Sequence, residues 1–303
     1  MSEMTEQSQN LSTTTINWRE WLQEWVVLFK LRVVSLLLLA AVGGAFLGAR
    51  GWPGWGTLLL VLVTGGMAAS GASALNQYLE RHLDARMNRT RSRPMVTGSV
   101  ARPRTILILG LILIALPTLA VLPFNPALSF YLVLGAFIYI GVYTIWLKPR
   151  TLLNIVIGGA AGSAAVMSGG AAANAANDVA VITLALLVFL WTPTHFWSLA
   201  LLYRHDYQKA SFPMLPAQVT PHQSAWWVLA HTLPTGLAAI LLASTPGLGW
   251  LYGLASVGLT GELLYRNIRL IAAPTPKNAR RLFISSNYYL MAILLVICLD
   301  VVL

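Results

Sequence analysis

The run Asn76-Gln77-Tyr78-Leu79-Glu80-Arg81-His82-Leu83-Asp84 continues the apolar stretch 57–75 and leads at once into Ala85-Arg86-Met87-Asn88-Arg89-Thr90-Arg91-Ser92-Arg93-Pro94. No Gly or Pro falls between Ala72 and Asp84, so a single helix carries the apolar stretch and puts Asn76, Glu80 and Asp84 on one face of its end. Steps of four residues advance about 40° and rise about 6 Å, which lines an amide and two carboxylates along a stripe. Such a stripe suits Mg²⁺, which takes a carboxylate or two and fills its shell with water and phosphate oxygens. The basic run behind it supplies charge for the same anion. Spacing alone equally permits a solvated juxtamembrane turn in which Glu80 and Asp84 offset the arginines.

The chain around this stretch is 57% hydrophobic and 10% charged over 303 residues. A soluble domain carries about 25% charged residues, so this is an integral membrane protein. The net charge of +10 sits in short clusters between long apolar runs, a topology signal that excludes a nucleic-acid surface. The single cysteine, Cys298, lies in the last apolar run, which excludes a disulfide framework or CxxC metal site. Residues 1–17 are polar and lack a basic start with an apolar core, so they are expected to be a disordered tail ahead of one transmembrane domain, 18–303.

A bilayer core needs about 20 apolar residues per helix. On that ruler the sequence predicts an all-α bundle of nine spans, at 33–49, 57–76, 105–122, 127–146, 152–172, 179–202, 223–243, 247–265 and 282–301. Alternating the connections then puts every Lys and Arg except Arg50 on one side, which the positive-inside rule makes cytoplasmic together with the N-terminus. The opposite connections are short and rich in Gly, Pro and Asn, and leave little room for chemistry. Trp18, Trp21 and Trp25 with Leu22, Val26 and Leu28 form an amphipathic stretch expected to lie in the interface. Glycines inside spans read as close helix packing, and 272–278 carries no functional reading.

A second carboxylate, Asp206, emerges after the sixth span, in Tyr203-Arg204-His205-Asp206-Tyr207-Gln208-Lys209. Two such helix ends facing each other across a bundle can hold Mg²⁺ that bridges a diphosphate. Lys30 and Arg32, Lys148 and Arg150 sit at the same depth. Arg offers phosphate oxygens paired contacts and Lys a point charge, while each taken singly also serves as a topology marker. His82, His205, His222 and His231 read as packing residues. His195 follows the kinking Pro193 among Trp191, Phe196 and Trp197, where an intramembrane ionisable group suggests cofactor or acid–base work as well as packing.

The pattern Asn76-x-x-x-Glu80-x-x-x-Asp84-x-x-Met87-x-Arg89-Thr90-x-x-Arg93-Pro94 resembles the first diphosphate motif of the intramembrane aromatic prenyltransferase (UbiA) superfamily. Tyr143-Thr144-x-x-Leu147-Lys148-x-Arg150-Thr151, Trp191-Thr192-Pro193-x-His195-Phe196-Trp197, and Asp206-Tyr207 with Pro213-Met214-Leu215-Pro216 resemble its protoheme IX farnesyltransferase (heme O synthase) branch. The sequence departs from the branch at Leu31, at Thr194 and over 162–170, where small residues replace paired prolines and a Trp. The resemblance implies a nine-helix bundle in the plasma membrane that takes farnesyl diphosphate and heme B and makes heme O for oxidase assembly, with a downstream heme A synthase as partner. It implies Mg²⁺ held by Asn76, Glu80, Asp84 and Asp206, diphosphate binding by Lys30, Arg32, Arg89, Arg93, Lys148, Arg150 and Lys209, Tyr143 shielding an allylic cation, and His195 toward heme. Two alternatives remain: a relative acting on a quinone-precursor aromatic acid or chlorin, and an ion-coupled secondary transporter. Transporters typically carry matched broken helices and mid-depth sites.

Overall fold

The computed structural model describes residues 18–100 and 102–303, and the expected tail 1–17 lies outside the described residues. All regular structure among the described residues is helical. Helix α1 (Trp18–Leu28) keeps Trp18, Trp21, Leu22, Val26 and Val27 exposed and buries Leu28, as an interfacial helix should. Lys30 then takes the left-handed conformation, φ 50°, and turns the chain into α2 (Leu31–Ala49). The turn is fixed from across the bundle, because Gln77 Nε2 donates to the Val27 and Leu28 carbonyls at 2.7 and 2.9 Å.

Helix α3 (Trp55–Asp84) has 30 residues and is therefore about 45 Å long, against a hydrocarbon core of about 30 Å. The excess length is what lifts its polar end, 76–84, to one face of the membrane. A short α4 (Pro94–Thr97) leads to α5 (Pro103–Val121), which packs along α3. Helix α6 begins as an α-helix (Pro126–Phe137) and ends as a π-helix (Ile138–Leu147). A short α7 (Asn154–Gly158) and α8 (Ala160–Ala172) make the next crossing, and α9 (Val179–Leu202) the one after. Helix α9 is the centre of the main apolar core, packing against α2, α8, α12 and α14.

The small residues of 162–170 have a local cause. A Cβ added at Gly169 would fall on the Ala41 carbonyl, and one at Gly44 on the Val166 carbonyl. Helices α2 and α8 thus pack backbone to backbone, the mode open to small residues in membranes, and a Trp or paired prolines there would separate them.

The short α10 (Arg204–Lys209) and α11 (Leu215–Gln218) follow α9 on the face where α3 ends. Next come α12 (Pro221–Leu242), α13 (Trp250–Ala272) and α14 (Pro276–Asp300). Among the described residues eight helices are long and apolar enough to cross a membrane, rather than the nine expected. The exception, α13, covers the expected span 247–265 from Trp250 on and packs between α12 and α14, but Glu262, Arg266 and Arg269 occupy its second half. On the opposite face Arg50 pairs with Asp178, the N-cap of α9, at 3.0 Å.

Candidate active site

At the end of α3, Asn76, Glu80 and Asp84 are 2%, 5% and 3% exposed, so the stripe faces inward and the solvated-turn reading fails. Buried charges need partners, and each member of the stripe meets a cation from a different segment. Asn76 Oδ1 accepts from Lys30 Nζ at 2.6 Å, Glu80 Oε1 pairs with Lys148 Nζ, and Asp84 Oδ2 pairs with Arg93 Nη1 at 2.6 Å. The Asn76 amide donates in turn to Thr144 Oγ1 at 3.0 Å.

Asp206 joins this cluster through the turn that follows α3. Its Oδ2 accepts from the Arg89 backbone N–H at 3.0 Å and its Oδ1 from Asn88 Nδ2 at 3.3 Å. Arg89 Nη2 donates to the Tyr207 hydroxyl at 3.1 Å, and the guanidinium lies 5.7 and 5.8 Å from the Tyr203 and Tyr207 ring centroids. Its Nε is buried without a partner, a donor left over for an incoming acceptor. One basic turn therefore links both acidic helix ends, with Arg89 against Asp206 and Arg93 against Asp84.

The π-wound end of α6 forms the remaining wall. Bonding from i to i+5 makes a turn of roughly four and a half residues, so Tyr139 and Lys148, nine apart, come back to one face; in an α-helix they would oppose each other. Accordingly Tyr139 accepts from Lys30 at 2.9 Å while Lys148 reaches Glu80. Tyr139 and Tyr143 stack with centroids 6.1 Å apart and planes 10° from parallel. The Lys148 ammonium lies 5.7 Å from the Tyr143 centroid and 4.6 Å from that of Phe212.

Burial, with Arg93 and then Lys148 adding to it against the pull of Glu80 and Asp84, lowers the Lys30 pKa to about 7. Burial raises that of the Tyr207 hydroxyl, which stays a neutral partner for Arg89.

Several expected residues stand apart. Arg150 is exposed and donates to the Ile145 and Trp146 carbonyls at 2.9 and 2.8 Å, capping the end of α6 rather than entering the cluster. The cause is local: carbonyls at a helix end lack partners and attract a nearby cation. Arg32 and Lys209 are exposed, and no hydrogen bond or ion pair ties either to the acids. His195 lies elsewhere, between Trp191 (4.4 Å between centroids) and Phe283 (4.7 Å), with Nδ1 on Ser286 Oγ at 3.0 Å. Asn88, Tyr139 and Phe212 were not singled out from sequence, and Thr144 and Tyr207 stood in the quoted motifs without a role; only its adjacency to Arg89 marks Asn88.

Among the described residues no three His, Cys, Asp or Glu side chains are grouped so as to cage a metal unaided. Mg²⁺ held through one or two carboxylates, water and phosphate oxygens needs no such cage. The hard oxygens of Asn76, Glu80, Asp84 and Asp206 fit it, beside cations and an orphaned Arg89 donor that fit phosphate.

The profile of the UbiA prenyltransferase family matches residues 36–294. The chain is 42% identical over 275 residues to a protoheme IX farnesyltransferase of Metallosphaera sedula, covering 90% of this chain and 94% of that one. Over 287 residues it is 37% identical to one from Alkalilimnicola ehrlichii, covering 93% of each. Two solved structures share the fold. One is of digeranylgeranylglyceryl phosphate synthase, at TM-score 0.76 and 16% identity over 93% of this chain and 99% of that one. The other is a UbiA homolog from Archaeoglobus fulgidus bound to GPP and Mg²⁺, at 0.64 and 16% over 90% and 99%.

Proposed function

This chain belongs to the UbiA prenyltransferase family, and from that premise we propose that it transfers the farnesyl group of farnesyl diphosphate to a vinyl group of heme B, giving heme O. The observation that carries the chemistry is the convergence of three cations, Lys30, Arg93 and Lys148, from three segments on the buried stripe Asn76, Glu80 and Asp84. Before substrate arrives, Asn76, Glu80 and Asp84 hold Lys30, Lys148 and Arg93 in place, so little reorganisation remains when the diphosphate binds.

Asn76, Glu80, Asp84 and Asp206 are the residues that would hold Mg²⁺, which when bound supplies Lewis-acid stabilisation of the leaving diphosphate. Lys148 and Arg93 then turn from the acids to phosphate oxygens, joined by Lys30 and the free Nε of Arg89. As the allylic C–O bond opens, its electron pair leaves on the diphosphate, where these cations stabilise the growing charge. The parallel faces of Tyr139 and Tyr143 shield the allylic cation as they now shield the ammonium groups. The vinyl π electrons close the new C–C bond, and water adds to the resulting cation and loses a proton to leave a hydroxyethylfarnesyl group.

The Ser286 bond fixes His195 through Nδ1 and reserves Nε2 for the tetrapyrrole. By the positive-inside rule the site faces the cytoplasm of a plasma membrane, and the heme O formed passes to a heme A synthase or an oxidase. An ion-coupled transporter is disfavoured because the acids gather at one end of the bundle, away from mid-depth.

Hemes extracted from an expressing host and weighed by mass spectrometry give heme O under this reading. Heme B alone, with the protein abundant and farnesyl diphosphate supplied, would overturn it.

A further inference from the structure

On the same membrane face, but sharing no residue with the acid stripe, the ends of α13 and α14 enclose a cavity of about 40 Å³ lined by Tyr265, Arg266, Arg269, Asn278 and Arg281. A single water needs about 10–15 Å³ on that measure, so the space admits a group of phosphate size. The lining is built by spacing. Arg266 and Arg269 are three apart on α13, and Asn278 and Arg281 are three apart on the antiparallel α14, so each helix turns two lining side chains to the same point, with the Asn278 amide donating to the Arg269 and Ala273 carbonyls at 3.2 and 2.8 Å and the three guanidiniums left to face the space. Among the described residues Arg266 pairs with Glu262 at 2.6 Å, and no carboxylate answers Arg269 or Arg281. Three guanidiniums crowded with a single acid repel one another, and an anion relieves that repulsion.

What continues from the cavity identifies the anion's carrier. Arg281 heads the series Ile284, Tyr288, Met291 and Leu295, which recurs along one face of α14 with every apolar member exposed. From Arg281 to Leu295 the helix rises roughly 21 Å, about the reach of an extended acyl chain. We propose that this edge is a binding site for an anionic phospholipid, its phosphate among Arg266, Arg269 and Arg281 and an acyl chain along α14. It also explains why α13, alone among the long helices of the described residues, lacks a membrane-length apolar window: its charges form a headgroup socket at interface depth, of the kind basic clefts between membrane helices provide.

The test is native mass spectrometry of the full chain after detergent delipidation, titrated separately with phosphatidylglycerol, phosphatidylcholine and inorganic phosphate. One phosphatidylglycerol per chain should be retained at least about tenfold more tightly than phosphatidylcholine, with no adduct from inorganic phosphate. The double variant R269Q/R281Q should lose that preference. K277Q/R280Q, which removes the same charge from exposed neighbours outside the cavity, should keep it, and both should retain basal turnover. Equal retention of the two lipids by the wild-type chain overturns the proposal without reliance on any variant. So does loss of preference in both variants alike, which would mark a diffuse charge effect, or saturation by inorganic phosphate with no lipid selectivity, which would mark a free-anion site.

Discussion

Helices α3 and α6 face each other across the candidate site and deliver their groups by different windings. Helix α3 runs as an α-helix to Asp84, and steps of four residues keep Asn76, Glu80 and Asp84 in line. Helix α6 relaxes to π-winding over its last ten residues, and steps of four to five bring Tyr139, Thr144 and Lys148 onto the facing side. The difference teaches a division of labour: the regular helix holds the acids, and the irregular one holds the aromatic rings and the lysine that keeps Glu80 buried as an ion. π-Turns cluster at functional sites, and here the winding changes which residues share a face.

The comparison breaks most sharply at the acids. Asp84→Asn keeps the shape and removes the charge that holds Arg93. Steady-state assay of heme O formation should show kcat down by about 10³-fold or more, the scale of losing a principal electrostatic group; retention of more than a tenth of the activity would remove Asp84 from the site. The link between the two helices is tested next. Glu80→Gln should cost about 3–5 kcal/mol in unfolding, since it leaves the Lys148 ammonium buried beside a neutral amide. Adding Lys148→Met should recover most of that stability and none of the activity. If each single variant is as stable as the parent, the pair does not tie α3 to α6.

A smaller effect sharpens the role of the α2 entrance. Lys30, with its pKa near 7, is charged below that pH and neutral above it in the free protein. A diphosphate selects the charged form, so its Kd should worsen as pH rises past about 7, by at most about tenfold per unit. Lys30→Arg stays charged and should flatten that slope; an unchanged slope would mean another group titrates. Gly158→Ala touches only the π-wound wall, because its Cβ would lie 2.7 Å from Tyr143 Cδ2. Turnover should fall by about tenfold through displacement of that ring, of the order of 1.4 kcal/mol, with heme affinity by absorbance titration unchanged. At the bottom of the scale, Arg150→Gln should change kcat/KM by less than about twofold, since its guanidinium caps carbonyls, and exposed caps contribute about 1 kcal/mol or less to stability alone.

The same contrast explains how far the sequence could be read. The stripe of α3 was legible because an unbroken apolar run sets the helix and a period of four sets the face. Asp206 was legible as an acid at the end of another long apolar run. Tyr139 was not, because α-periodicity puts it opposite Lys148 and nothing in Ile138-Tyr139-Ile140-Gly141 announces the change of winding. Arg150 was assigned to phosphate because charge and depth are visible in a sequence while an unsatisfied helix end nearby is not. The small residues over 162–170 look like a missing motif until α2 is seen lying against them. The stretch expected as an eighth span is helical from Trp250 on, as α13, but it is not among the eight helices apolar enough to cross a membrane, and its arginines line a cavity shared with α14.

The claim that underlies the whole account is that the α3 stripe and the π-wound face together bind a metal-associated diphosphate. Calorimetric titration of farnesyl diphosphate into the full-length protein, with Mg²⁺ present and after chelation, tests it without reference to turnover. The account predicts saturable binding that weakens by more than about tenfold, or 1.4 kcal/mol, when the metal is removed. Equal affinity in the two conditions would contradict it.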